Sequence, residues 1–577
     1  MDYKKLVELY DEISATTKRL EKIAILAKFL KNIEEKDKDI LYLLLGNIYP
    51  DYNKKKIGVS TKLTIKAISK ATGIEEDKVL HEWKKIGDLG NVAESLISRK
   101  KQTTLNTSPL TTKEVIENLR KLTDLEGKGT VEKKLLIIVE LLSSATPREA
   151  LYLIRTLLSE LRIGIKESTI RDAITETFFS PNEKMEALKK IQEAMDNSND
   201  IAYVFEIAKK GQLQNLKKAE IEVGKPLKVM LAQKAENIQE AFKKVGKPCA
   251  IEYKYDGFRM LIHKKGNKIF LFTRRLEDVT KQFPEVVDYV KEYVSGNSFI
   301  IDSEAVGFNN ETKEYRPFQE ISQRIKRKYK IEKMQKELPV EINVFDLLYY
   351  NGKSLLKEPF EKRSALLRKI VKEAPYKIVH SKQLITSDEK SAEKFFKSAL
   401  KDNQEGIMFK NLKAIYQPGS RVGHMLKVKP TQEELDLVIT GAEYGTGKRS
   451  GWLSSFILSC KDEKTGKFLD VGKMGTGIKE KEREGISFKE LTNKLKPLII
   501  EEQGKMVKIK PKIVISVTYQ EIQKSPTYSS GFALRFPKFK SIRPDKSQDD
   551  ASTLEEIKEH FERQKIVGST SKYKSHF

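Results

Sequence analysis

Cysteine is scarce in this chain: Cys249 and Cys460 are the 2 found among 577 residues. Two thiols cannot build a disulfide scaffold or a four-cysteine zinc module, and they suit a reducing cytosol. Long apolar runs are missing as well. The most apolar stretch, "LLIIVELLSSA", is too short to cross a bilayer, and the opening "MDYKKLVELYDEI" is amphipathic and charged, without an apolar signal core. The expectation is a cytoplasmic protein, neither secreted nor membrane-spanning. Acidic residues are in deficit: 82 Asp+Glu stand against 108 Lys+Arg, a net charge of +26. Such a surplus points to a polyanionic partner, nucleic acid before membrane. A thermophile's surface enriches Lys and Glu together, which does not by itself leave so large an excess.

What is present reads as a large globular protein. With 39% hydrophobic and 33% charged residues over 577 positions, the chain is too long for one core, and roughly two to four domains are expected. No fixed-period repeat and no long low-complexity tract appears. From Met1 to about Glu222 the pattern is helical. "YKKLVELYDEI" puts Leu6, Leu9, Tyr10 and Ile13 on one face. "TPREALYLIRTLLSELRIGI" opens with Thr146 as N-cap, Pro147 at the first helical position and Glu149 completing a capping box, and Gly164 stands where that helix should stop. From about Val223 to Lys429 short β-rich runs recur, among them "AIEYKY", "FRMLIH", "KIFLFT", "EINVFDLLYY", "GIMFKN" and "HMLKVK", with helical segments between them and a hairpin turn in "HKKGNKI". From Pro430 onward, β runs with glycine-rich turns predict a small barrel. A last helix, "STLEEIKEHFERQ", carries a capping box from Ser552 to Glu555.

The stretch "EYKYDGFR", Glu252 to Arg259, breaks the strand pattern. Ile251, Tyr253 and Tyr255 alternate on one face, which leaves Glu252 and Lys254 together on the other. A lysine there needs a partner or a task. Other strands also carry charge on one side: Asp302 and Glu304 in "SFIIDSEAVGF", Glu405 at the start of "EGIMFKN", Lys427 and Lys429 in "HMLKVKP". If those sides converge, lysines meet phosphate and strand carboxylates meet Mg²⁺. Lys254 among other cations would become a nucleophile. The chemistry suggested is phosphoryl or nucleotidyl transfer through a covalent lysine intermediate. Taken singly, each motif is ordinary: K-x-D-G is a strand and a turn, and K-x-K is most often a solvated face.

The ordered series "KYDGFR", "TRRLED", "IIDSEAVGF", "VFDLLYYNG", "EGIMFKN", "HMLKVKP" and "ALRFPKFKSIRPDK" resembles the motif series of ATP-dependent DNA ligases of archaeal and eukaryotic type, and the resemblance covers nearly the whole chain. It implies a multidomain fold: an all-α DNA-binding domain at 1–222, where "GDLG" (Gly87 to Gly90) and "RIGI" (Arg162 to Ile165) fall, an α+β adenylation domain at 223–429, and an oligonucleotide-binding barrel with a terminal helix at 430–577. It also implies roles. Lys254 would attack the α-phosphate of ATP and carry AMP. Glu252 would hold the adenine, Phe345 would stack on it, and Arg259, Arg274 and Arg421 would contact phosphate. Glu304 would sit near ribose and metal, and Glu405 would be a metal carboxylate for Mg²⁺, with Mn²⁺ as substitute. Lys427 and Lys429 would bind the α-phosphate. Asp256 and Gly257 would shape the turn after the nucleophile. Arg535, Arg543 and Asp545, on the barrel, would serve pyrophosphate orientation and domain closure.

The implied partner is nicked double-stranded DNA, and the implied state a nucleoid-associated monomer serving DNA replication, repair, recombination and so cell division. A sliding-clamp peptide would fall at "QTTLN", Gln102 to Asn106, with Gln102 and Leu105 as contacts, although this stretch lacks the family's aromatic pair. Rival readings are an RNA ligase or capping-type nucleotidyltransferase, which shares the lysine chemistry; an NAD-dependent ligase, whose zinc module two cysteines cannot build; and a non-catalytic DNA-binding protein that keeps the fold. The large helical region and the "LRFPKF" tail argue against the first, and the intact set Lys254, Glu304, Glu405, Lys427 and Lys429 against the last.

Overall fold

The structure is a computed structural model that describes residues 1–53, 55–99, 109–125, 127, 129–211, 213–325, 327, 329–430, 434–445, 449, 451–480 and 486–569. Gln102 and Leu105 lie outside the described residues. Two compact units emerge: Met1–Phe395 with Ile407–Val428, and Phe396–Gly406 with Lys429–Phe577. The first takes in the helical region and the β-rich region after it, each around its own core. One core is drawn from residues between Tyr3 and Ala219, and two more from residues between Ile221 and Met425.

The helical region runs from the helix Tyr3–Ala15 to the helix Ile201–Lys209. Leu6, Leu9, Tyr10 and Ile13 are all buried, as their spacing requires. Thr146 and Glu149 form the capping box, with Pro147 in the first turn, but that helix is Pro147–Leu157 and stops well short of Gly164. Its end comes where Ser159 and Arg162 take left-handed backbone, and Gly164 (φ +71°) serves the following loop instead. A Cβ there would sit 2.8 Å from the Lys22 ammonium, which donates to the carbonyls of Ile163 (2.7 Å) and Gly164 (3.3 Å). The "GDLG" and "RIGI" segments are joined by one carboxylate. Asp88 caps the helix Leu89–Ser98 by accepting the Asn91 N–H at 3.0 Å, and it pairs with Arg162 at 2.8 Å and Arg155 at 3.2 Å.

The β-rich region opens at β1 (Leu231–Lys234), β2 (Cys249–Lys254), β3 (Phe258–Lys265) and β4 (Lys268–Thr273). The turn predicted between β3 and β4 is Gly266–Asn267, with Gly266 at φ +58°. Next come β5 (Ser298–Phe308), β6 (Tyr315–Arg316), β7 (Val340–Tyr350), β8 (Lys353–Ser354), β9 (Ile378–His380), β10 (Gln383–Thr386), β11 (Gly406–Asn411) and β12 (Arg421–Val428). They form two sheets. One has the order β1-β12-β11-β2-β10; the other runs β4-β3-β5-β7-β8, with β6 on β5 and β9 on β7. β2 and β3 are consecutive yet belong to different sheets, so residues 255–257 carry the chain from one to the other. Before β1, Lys228 ties this region to the helices through Asp51 and Glu167, both at 2.8 Å.

The second unit contains β13 (Glu434–Tyr444), β14 (Leu453–Lys461), β15 (Phe468–Met474), β16 (Ile499–Gln503), β17 (Met506–Ile509), β18 (Val514–Thr518), β19 (Glu521–Lys524), β20 (Phe532–Arg535) and β21 (Lys538–Ile542). β13 pairs with β14 and β18, β14 with β15, and β18 with β21. A bridge between Thr476 and Lys538 then returns β21 to the end of β15. The ring closes as the small barrel expected, of the oligonucleotide-binding kind. The terminal helix starts one residue later than its sequence suggests. Thr553, not Ser552, accepts the third-position N–H, from Glu556 at 3.1 Å, because Ser552 is turned to the barrel, where its Oγ accepts the Asp436 N–H at 3.2 Å. Among the described residues no helix is long and apolar enough to cross a membrane.

Candidate active site

Lys254 is the last residue of β2 and half-buried, at the point where the chain leaves one sheet for the other. The turn that follows is tight for a reason found on β5. A Cβ on Gly257 would lie 2.3 Å from the Ala305 carbonyl oxygen and 3.0 Å from Glu304 Cγ. Only glycine lets the backbone come this close to the strand that carries Glu304. β3 pairs antiparallel with β5 so that Arg259 stands opposite Glu304 and Leu261 opposite Asp302.

Arg259 is fixed by a bidentate fork. Its Nε and Nη2 donate to the two oxygens of the fully buried Asp302 at 2.8 and 2.5 Å, and its Nη1 donates to the Met230 carbonyl at 2.6 Å. The Tyr416 hydroxyl donates to the same Asp302 at 2.8 Å. Burial alone would lower the Arg259 pKa, but Asp302 more than offsets it and the guanidinium is held charged. Burial, then Asp302, pushes the Tyr416 phenol well above its usual value. Arg259 therefore uses most of its donors inside the protein, which makes it a brace between the two sheets as well as a candidate phosphate contact.

Phe345 on β7 is half-buried rather than core. The Arg259 guanidinium sits 5.4 Å and the Lys410 ammonium 4.5 Å from its ring centre. Lys410, on β11, joins the two sheets: its ammonium also lies 2.6 Å from Glu252 on neighbouring β2. Glu252 is buried, and its other oxygen accepts from Gln383 Nε2 at 2.8 Å, across the β2–β10 ladder where the two residues are register partners. A carboxylate, an ammonium and an aromatic face from the two sheets thus meet at Lys410.

Arg274, just after β4, is exposed. Its pKa is lowered by desolvation first, then by Arg259 and Arg421, while Glu304 acts the other way. Arg259, Arg421 and Glu304 are thus the charges that act on Arg274. Arg421 begins β12 and donates to the Ala232 carbonyl at 2.9 Å. Lys427 lies further along β12, half-buried, with Met408 of β11 and Lys234 of β1 as register partners.

In the second unit Lys429 and Glu405 form a 2.5 Å ion pair. Arg535 donates to Glu521 at 3.1 Å. Arg543 is held between Asp545 (2.6 Å) and Asp436 (2.8 Å), and Lys546 also reaches Asp436, at 2.8 Å. The hydrogen bond from Arg543 holds the Asp545 carboxyl down at about 2. Among the described residues no cluster of three or more His, Cys, Asp or Glu side chains could cage a metal. Glu304 and Glu405 are nonetheless hard oxygen donors of the sort Mg²⁺ takes, one or two at a time, alongside substrate phosphates.

Sequence reasoning missed Lys410, Gln383 and Tyr416. Lys410 had a signal: a lysine inside the apolar run "GIMFKN" is costly unless paired. Gln383 and Tyr416 had none, because their roles depend on strand pairing and on a fold-back from distant sequence.

Three family models match successive parts of the chain. The ATP dependent DNA ligase domain matches residues 229–429, DNA ligase N terminus matches 2–175, and ATP dependent DNA ligase C terminal region matches 449–546. The chain belongs to the ATP-dependent DNA ligase family. Among its relatives, a DNA ligase of Nanoarchaeum equitans (strain Kin4-M) is 48% identical over 567 residues, 98% of this chain and 99% of the relative. A DNA ligase of Thermococcus onnurineus (strain NA1) is 41% identical, covering 98% of each chain. A solved structure named "Pmar-Lig_Pre." shares the fold at TM-score 0.58 and 19% identity, over 93% of this chain and 99% of the other. These matches favour neither the RNA-ligase or capping reading nor the non-catalytic one.

Proposed function

We propose that this ligase seals nicks in duplex DNA through a lysine–AMP intermediate, in three in-line displacements at phosphorus. The Lys254 amine attacks the α-phosphate of ATP, forming a P–N bond and expelling diphosphate. The 5′-phosphate oxygen at the nick then takes the AMP and frees Lys254. Finally the 3′-hydroxyl attacks that 5′-phosphate, forms the phosphodiester bond, gives up its proton and releases AMP. Positioning and charge neutralisation carry most of such catalysis. Arg274, Arg421, Lys427 and Lys429 would supply the cations, Glu252 and Phe345 would hold the adenine, and Arg259 would brace the cleft and reach phosphate with what remains free of its fork. Glu304 and Glu405 would hold Mg²⁺, or Mn²⁺ in its place, which when bound neutralises phosphate charge. Arg535, Arg543 and Asp545 would act on the diphosphate as the barrel closes.

The observation that supports this most is the position of Lys254 at the crossing between two sheets, on the same strand as the buried Glu252 and beside the Gly257 approach to Glu304. We further propose three domains at 1–222, 223–429 and 430–577, a monomer near the nucleoid, nick supply from DNA replication, repair and recombination with a consequent part in cell division, and a sliding-clamp contact through Gln102 and Leu105. The test is incubation with labelled ATP. The wild-type protein should form an acid-labile, mild-base-resistant AMP adduct, and Lys254→Ala and Lys254→Arg should both lose it, because arginine stays protonated and cannot attack. An adduct on either variant would place the nucleophile elsewhere.

A further inference from the structure

β1 and β12 are the parallel pair at one edge of their sheet, and their first residues are tied together. The Gly419 N–H donates to the Lys228 carbonyl and the Leu231 N–H to the Ser420 carbonyl, each at 2.9 Å. Arg421 is exposed, and its Nη1 donates to the Ala232 carbonyl at 2.9 Å. The turn from Gly419 to Arg421 therefore goes wherever Lys228 goes.

Lys228 in turn is held by the helical region. Its ammonium pairs with Asp51 and Glu167, each at 2.8 Å. The Asp51 N–H donates to the Asn199 carbonyl at 3.1 Å, and Asn199 Nδ2 donates to the Pro226 carbonyl at 2.9 Å, two residues before Lys228. The turn itself touches the same helices. Gly419 takes φ +69°, and a Cβ there would lie 3.2 Å from Asp196 Oδ1 and 3.5 Å from Lys228 Cβ. Asp196 belongs to the helix Lys184–Ser198, where Gln192 Nε2 donates to that same oxygen at 2.8 Å and Gln192 Oε1 accepts from Arg171 at 2.6 Å. Side chains of the helical region thus back the turn from which Arg421 projects. A long side chain ordered beforehand spares the ligand the cost of ordering it on binding.

We propose that Lys228, with Asp196 beside it, is a positioning residue for the first chemical step: it holds the Gly419–Arg421 turn so that Arg421 meets a phosphate of ATP. The helical region then takes part in loading the nucleotide, before any DNA is present. This rests on the reading of Arg421 as a phosphate contact given above. An ion pair that merely stabilises the fold makes a different demand. It would act equally whether or not Arg421 is present.

The experiment is single-turnover adduct formation against ATP concentration in the full-length protein, in Lys228→Met, in Arg421→Ala and in the double variant. Lys228→Met should raise the half-saturating ATP concentration roughly fivefold, the scale of one long side chain left for the ligand to order, with little change in the saturating rate. The same loss of affinity should appear in an ATP titration by calorimetry on a Lys254→Arg background, where no adduct forms. The double variant should be no worse than Arg421→Ala alone, because residues that act through one contact are not additive. Additive losses in the double variant, or an affinity for ATP unchanged in Lys228→Met, overturn the inference. Should Lys228→Met fail to melt cooperatively, the cycle of Asp196→Ala with Arg421→Ala decides by the same two criteria. An Arg421→Ala protein that saturates with ATP as wild type does overturns the inference too, whereas absence of any adduct in wild type would strike the proposed function itself.

Discussion

Gly257 shows how one missing methyl group can carry a site. The nearest obstacle to a Cβ is backbone, the Ala305 carbonyl at 2.3 Å, which cannot rotate away as a side chain would. Gly257→Ala should therefore push the turn off β5, costing about 1–3 kcal/mol by the usual scale of overpacking, and should slow adduct formation because Lys254 lies three residues upstream. Urea unfolding and adduct rates, measured together, check this; an alanine variant equal to wild type in both would show that the turn has room. The K-x-D-G pattern was visible in the sequence, but not the reason for its glycine, since Ala305 belongs to a strand far along the chain. Lys410 was half-legible in the same sense: its cost could be read, its partner could not.

At the scale of elements, local rules read well. The helix faces, the Thr146 capping box and the Gly266–Asn267 hairpin depend on neighbours within a few residues, and the structure contains them. Gly164 and Ser552 mislead because tertiary contacts, with Lys22 and with Asp436, claim residues that local rules assign to helix ends. The segment from β20 through β21 to Asp545 bears the next test. Arg543 is held by Asp436 and Asp545 within the barrel unit. If it orients the diphosphate, Arg543→Ala should cripple adduct formation from ATP yet largely spare sealing of a nick supplied already adenylylated. If it merely adds to a basic DNA-binding surface, both activities should fall together, more so as salt rises. Single-turnover rates for the two substrates at one salt concentration separate these outcomes.

Over the whole molecule, the +26 charge predicts steep salt dependence. Affinity for nicked duplex should drop by roughly 10³-fold or more between low and moderate salt if several phosphates are neutralised; a flat response in a binding titration would assign the charge to surface composition alone. A second whole-molecule effect arises where the helices meet the β-rich region. Asp196, near Lys228, Glu167 and Arg171, is raised from 3.8 to about 6, chiefly by desolvation. The folded state then keeps a proton that the unfolded chain gives up, so this contribution is full below pH 3.8 and fades as pH rises through about 6. Its size is on the order of 3 kcal/mol. Asp196→Asn should flatten the decline in Tm between pH 5 and pH 8, and an unaltered decline would mean that other groups set it.

The Arg259 brace also bears on how long the catalyst lasts when heated. One guanidinium grips Asp302 on β5 and the Met230 carbonyl before β1, and Asp302 in turn holds Tyr416 before β12. The two sheets are thereby fastened through the fully buried Asp302, so that loosening one strains the other. Heat inactivation and melting should then be a single event. Residual adduct-forming capacity and tyrosine fluorescence, followed over time at one elevated temperature, should decay along the same curve, with no inactive yet folded protein accumulating in between.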